Sequence, residues 1–144
     1  MRYMMMVRAS QRSEAGEMPK ETEMAAMGKY NEELQKAGVL LDLSGLKPTA
    51  KGARVRFSNG KQVVIDGPFS EAKELIAGYW IIQVKSREEA LEWAKRIPAE
   101  VCGISEVELR PFYELEDFAP GASIEAAKEL GKKLPASVGV GPKR

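Results

Sequence analysis

Few side chains in this sequence are equipped for chemistry. Histidine is absent from all 144 residues. That removes imidazole general bases, Ser-His and Cys-His nucleophile pairs and nearly every transition-metal site. The single cysteine, Cys102, excludes an intrachain disulfide and a thiolate zinc cluster. With no motif around it, Cys102 reads as a small inert residue. Acid–base work is left to carboxylates, lysine, tyrosine and Cys102. No motif implies a metal or a cofactor.

Asp66 is the candidate catalytic carboxylate. At a strand end before Gly67-Pro68 it has two readings. Its oxygens can accept backbone N–H bonds in an Asx-turn, or, desolvated at a cleft, it can serve as a base. Arg54 and Arg56 share one parity of a strand, so they can clamp a carboxylate or phosphate, or act as edge charges that deter strand pairing. Tyr79 and Trp80 point to opposite faces, one to the core and one to an interface or pocket. The candidate ligand site is therefore Arg54, Arg56, Asp66 and Tyr79, and the ligand class is small, anionic or aromatic.

Three other matches carry less. Ser70-Glu71-Ala72-Lys73 fits S-x-x-K, but the S-D-N and K-T-G elements of the serine enzymes that use it are missing, so Ser70 reads as a helix-start serine. Gly139-Val140-Gly141-Pro142 has neither a strand before it nor a helix after it, as a nucleotide loop requires. Lys128, Lys132, Lys133, Lys143 and Arg144 make a basic tail, but Lys plus Arg is 22 against 21 Asp plus Glu. Nucleic acid is not an expected partner. The tail either pairs with the acidic stretch around Glu114, Glu116 and Asp117 or stays solvated.

The elements that position these groups follow from periodicity. Residues 3–7 read as a strand, and 10–18 as a loop. A helix starts near Pro19 with Met24, Met27, Tyr30, Leu34 and Ala37 as its stripe, and Gly38 closes it. Residues 39–46 read as a strand. Residues 53–58 and 61–66 flank Asn59-Gly60, the residue pair that type I′ hairpin turns select. Residues 75–84 are apolar at both parities and read as a strand inside a sheet. Ser86 and Glu89 form a capping box for a helix with Ala90, Leu91, Ala94 and Ile97 buried, ended by Pro98. Residues 106–114 alternate as a last strand, and 123–134 are helical before a loose end.

Setting the hairpin aside leaves two β-α-β halves, the ferredoxin-like α+β pattern: an antiparallel sheet with two helices on one face. The other face stays bare. Burying the large side chains of 75–84 there is worth about 1.5–3 kcal/mol each, so a homodimer through sheet faces is expected. The chain divides into a domain over 1–118 and a helical, flexible tail over 119–144. It has no apolar run near the roughly 20 residues that span a bilayer. No signal peptide is visible, and a cytoplasmic location is expected.

One run has a family likeness. Asp66-Gly67-Pro68-Phe69, followed by Lys73-Glu74, Gly78 and Tyr79-Trp80, resembles the YCII-related proteins of the D-G-P-F branch. The first strand, the start of the second at Gly38, the capped helix from Ser86 and the stretch Glu106 to Pro111 share the likeness. The resemblance implies a dimeric α+β barrel, two sheets stacked face to face. Some YCII-like relatives look like lyases or dehydrochlorinases that use a His-Asp pair; without histidine that mechanism is not inherited. Other relatives are associated with extracytoplasmic-function sigma factors, which implies a regulatory context. Two functions stand open: a small-molecule-binding barrel of unassigned activity, and a non-catalytic regulatory or interaction protein.

Overall fold

The computed structural model describes residues 1–71 and 74–134. Four strands form one antiparallel sheet: β1 (Arg2–Arg8), β2 (Leu40–Gly45), β5 (Ile76–Gln83) and β6 (Val107–Pro111), in the order β2-β5-β1-β6. The main helices are α2 (Glu21–Lys36) and α3 (Arg87–Lys95). Each connects two strands that are not adjacent in the sheet, β1 to β2 and β5 to β6. This is the ferredoxin-like α+β arrangement expected from the two β-α-β halves.

Register explains why residues 75–84 are apolar at both parities. Met5 lies opposite Trp80 and Leu109, and Tyr3 opposite Ile82. This parity faces the helices, where Met5, Ile82 and Leu34 of α2 are fully buried. Tyr30 of α2 meets Trp80 edge-on at 5.6 Å and Trp93 of α3 at 6.4 Å. Its hydroxyl donates to the Trp93 carbonyl at 2.7 Å, and burial pushes the phenol well above the usual tyrosine range. Trp80 is thus the core member of the Tyr79-Trp80 pair.

The opposite parity carries Met4 beside Ile81 and Arg110, and Met6 beside Tyr79 and Glu108. Most of these side chains are only half-buried, and Arg110 is exposed. One end of this face is covered. Arg2, opposite Gln83, is buried against the segment after β6, where its guanidinium pairs with Glu114 at 3.2 Å and lies 4.7 Å from the centre of the Phe112 ring.

The hairpin stands as its own two-stranded sheet, β3 (Ala53–Ser58) against β4 (Lys61–Asp66). Asn59 and Gly60 both have positive φ, 50° and 72°, as a type I′ turn needs. Its root is fixed at the tight turn Thr49–Lys51. Thr49 donates N–H and hydroxyl to the Glu14 carboxylate and accepts from the Phe69 N–H. Gly67 sits so close that a Cβ there would fall 1.8 Å from the Thr49 carbonyl oxygen.

Several local expectations need correction. Residues 10–18 hold a short helix, α1 (Gln11–Glu14), because Ser10 and Ser13 cap each other reciprocally. Pro19 precedes the first turn of α2 instead of entering it. Met24 and Ala37 are exposed on α2, while Glu23, outside the expected stripe, is buried. Ser86 caps α3 by accepting from the Glu89 N–H, but the Glu89 carboxylate reaches back to the Lys85 N–H. Pro98 does not end helical structure outright, since it caps a further turn, α4 (Ala99–Cys102). Helix α5 (Ala122–Lys132) follows the turn Leu115–Asp117, and Lys128 and Lys132 pair with Glu125 and Glu129 of their own helix. Ala72, Lys73 and residues 135–144, with the Gly139 motif, Lys143 and Arg144, lie outside the described residues.

Candidate functional site

An apolar hollow with convergent polar groups lies between α2 and the sheet. It has a volume of about 360 Å³. Its floor is made where β2 and β5 pair through two glycines, Gly45 and Gly78. A Cβ on Gly78 would come within 3.0 Å of the Ser44 carbonyl oxygen, so this strand pair closes tightly only without a side chain there. Met24 and Met27 of α2 and the Trp80 ring supply deformable and aromatic wall, surfaces that adapt to a planar apolar body.

The polar groups at this hollow come from three elements. Glu23, in the first turn of α2, is buried and accepts from Arg12 of α1 at 3.1 Å, while Arg12 also holds Glu17 at 2.8 Å. The carboxylate is therefore neutralised within the protein, which is how a buried charge is tolerated. Asn31 accepts from the Trp80 indole N–H at 2.8 Å. That bond fixes the indole at the wall and leaves the Asn31 amide NH2 as a donor. Cys102 of α4 lines the rim and donates to the Glu23 carbonyl at 3.6 Å. Burial, and then the Glu23 charge, push its thiol pKa up, so Cys102 is a thiol at neutral pH and a poor nucleophile.

The residues singled out in the sequence are distributed differently. Arg54 and Arg56 share one face of the hairpin, opposite Ile65 and Val63, while Asp66 pairs with Ala53 on the other face. Asp66 is exposed, and among the described residues its carboxylate accepts no backbone N–H. Arg54 lies 3.8 Å above the centre of the Phe69 ring and 3.9 Å from Glu71. It lines a groove of about 450 Å³ at the hairpin root together with Lys47, Lys51 and Phe69. Tyr79 belongs to the four-stranded sheet, and its hydroxyl donates to Asp42 at 3.3 Å. Tyr79 and Trp80 both border the α2 hollow. Ser70 donates its hydroxyl to Glu71, whose carboxyl is held below the usual range chiefly by that bond.

Glu23, Arg12 and Asn31 were not singled out from the sequence. An acidic residue in a helix's first turn reads as a partner for the helix dipole, and only the capped turn at Ser10 brings Arg12 to Glu23. The Ser10–Ser13 spacing was the available clue.

Among the described residues no cluster of three or more His, Cys, Asp and Glu side chains is placed to hold a metal. No helix there is long and apolar enough to cross a membrane.

Comparison with known proteins gives three results. Uncharacterized protein R00369 of Rhizobium meliloti (strain 1021) is 37% identical over 75 residues, 52% of this chain and 60% of that protein, so the match spans about three fifths of the relative's length. The solved structure of 5-chloro-2-hydroxyhydroquinone dehydrochlorinase from Burkholderia phenoliruptrix AC1100, in complex with 2,5-dihydroxybenzoquinone, aligns over 79% of this chain and 95% of its own, at 12% identity and a TM-score of 0.46. Residues 1–113 match the YCII-related domain, and the protein belongs to that family.

Proposed function

We propose that this protein binds a small, largely apolar organic molecule in the hollow between α2 and the four-stranded sheet. The observation that carries this reading is the hollow itself. Its volume of about 360 Å³ falls in the range of ligand sites, roughly 300–1,000 Å³. Thioether and indole walls surround a small number of fixed polar groups, the composition such sites use. The Asn31 amide and the Glu23 carboxylate orient the ligand, and the Arg12–Glu23 pair keeps the site close to neutral.

The working form in this reading is a homodimer, with the half-exposed parity of the sheet stacked on that of a second copy as a dimeric α+β barrel. The unpaired Cys102 suits a reducing compartment, the cytoplasm. A second reading has one specific support: Arg54, stacked on Phe69 and beside Lys47 and Lys51, lines the hairpin-root groove, and an anionic ligand fits there, with Asp66 and Arg56 close in sequence.

A thermal-shift screen of small aromatic and anionic metabolites tests both readings. A ligand that binds the folded state raises the melting temperature by linkage. Gly45→Leu fills the α2 hollow, because a Cβ at Gly45 meets nothing within 4 Å. It is expected to abolish the shift, with Arg54→Ala and Asp66→Ala leaving it intact. Loss of the shift in Arg54→Ala but not in Gly45→Leu would move the site to the hairpin root. A screen with no shift at all would leave the non-catalytic interaction role as the better account.

A further inference from the structure

Helix α2 presents one row of side chains to the hollow. Glu23, Met27 and Asn31 fall at i, i+4 and i+8, the spacing that lines residues up along one side of a helix. The row is polar at both ends and apolar in the middle. Glu23 and Asn31 are just over two turns apart, so about 12 Å of helix axis separates them.

Each end has one polar group left over. The Glu23 side chain is 11% exposed, yet Arg12 donates to its Oε1 atom, and among the described residues Oε2 has no hydrogen-bond donor. A buried carboxylate oxygen calls for one. At the other end, the Trp80 indole can only donate, so the Asn31 amide must turn its oxygen toward it. The Asn31 NH2 then points away from Trp80, and among the described residues it meets no acceptor.

Charge distinguishes the Glu23 end. Arg12 is shared between Glu23 and Glu17, two carboxylates on one guanidinium. Arg8, the other cation at this wall, is held by Glu106 and Glu108. An anion entering here meets carboxylates whose cations are already engaged. A cation or a neutral donor meets an open oxygen.

We infer that the ligand of this hollow is an elongated apolar molecule with a hydrogen-bond donor head, an amine or a hydroxyl, at Glu23 and a carbonyl oxygen at Asn31. This rests on the small-molecule reading above and deepens it. Met24, Met27 and the Trp80 ring cover the apolar middle, and the distance between the two polar ends sets the length. A single ring is too short to reach both. Bonds to an ionised donor are roughly twice as strong as neutral ones, so the amine is the better head.

Calorimetric titration of the full chain with straight-chain amides that carry a terminal amine tests this. The octanoic and decanoic members match the span and should bind more tightly than the hexanoic and dodecanoic ones. On the wild type, replacing the amine by a methyl group should weaken binding about tenfold. A hydroxyl should cost less, and a carboxylate should abolish binding. Two variants read the protein side. Glu23→Gln keeps an oxygen for Arg12 but loses the charge, so amine heads should weaken about tenfold while hydroxyl heads hold. Asn31→Asp keeps an oxygen for Trp80 but replaces the donor with an acceptor, so amides should weaken and the matching plain alkylamines should not. The comparisons among ligands need only the wild type, so they decide the point even where a variant folds poorly. Binding that survives Gly45→Leu would overturn the hollow and this inference with it. Binding lost in Gly45→Leu but indifferent to head group, carbonyl and length would overturn the inference alone. So would a series that fails to bind while an aromatic compound from the screen binds in the hollow.

Discussion

Gly67 and Cys102 show how single residues constrain this protein. At Gly67 the limit is space, since a Cβ would overlap the Thr49 carbonyl, and that same threonine anchors Glu14 and Phe69. Gly67→Ala must displace the hairpin root, at about 1–3 kcal/mol for overpacking. The expected outcome is a lower urea midpoint with faster proteolysis between residues 49 and 71; an unchanged midpoint and digestion pattern would contradict it. At Cys102 the limit is electrostatic. The thiolate is the reactive form, and burial with the Glu23 charge raises the thiol pKa, so less thiolate exists at a given pH. Iodoacetamide should alkylate the folded protein more slowly than the urea-unfolded chain at pH 8, with the folded rate rising only at higher pH. The Asn59-Gly60 turn was legible because two positive φ values select those residue types. The burial of Glu23 was not, because it depends on Arg12 arriving from a turn whose capping pair is two ordinary serines.

Among the elements, α2 is held to α3 by a polar contact inside an aromatic cluster, beside the Glu33–Arg96 ion pair at 2.7 Å. Tyr30 donates to Trp93 at 2.7 Å, and a bond of this kind contributes about 0.5–1.5 kcal/mol net. Tyr30→Phe should cost that much near pH 7. The pH dependence has a definite sign. Burial raises the phenol above its ordinary value of 10.0, so below that value neither state ionises and the stability is complete. Above it the unfolded chain ionises first, and stability falls as pH climbs toward the folded value. The gap between wild type and Tyr30→Phe in urea denaturation should therefore shrink above pH 10; a constant gap would refute the account. Helix α2 was readable from Tyr30 and Leu34 at its core face, and α3 from Ser86. The exposure of Met24 was not, since the hollow beside it is cut by glycines on other strands that carry no helical periodicity.

For the whole molecule, the Arg2–Glu114 pair joins the first strand to the segment after the last one. The partners are 112 residues apart, so no local pattern announces them, and this is why the cover over one end of the open sheet face escaped the sequence. The β-α-β halves and the two-sided apolar strand were legible, because each expresses a short period in hydrophobicity. Arg2 is 4% exposed, and removing its partner strands a buried charge. Such losses run to about 3–5 kcal/mol, and the partial exposure of Glu114 puts Glu114→Ala near the lower end, about 3 kcal/mol. Replacing both partners, as Arg2→Met with Glu114→Leu, should recover most of it. Calorimetry of the four members of that cycle is the check, and a double variant as unstable as the single one would count against it.

The position of β1 between β5 and β6 has a consequence for synthesis. The ribosome makes this strand well before either of its neighbours. At about 5–20 residues per second, Arg2 waits roughly 4–16 seconds for Gln83, its partner across the ladder. During that interval Tyr3, Met4, Met5 and Met6 emerge with nothing to pair against. The hairpin, whose arms meet through a two-residue turn, has no such wait for its partner strand. The N-terminal strand is therefore set in place only once β5 has been made, and β6, which pairs with β1 alone, completes the sheet after it.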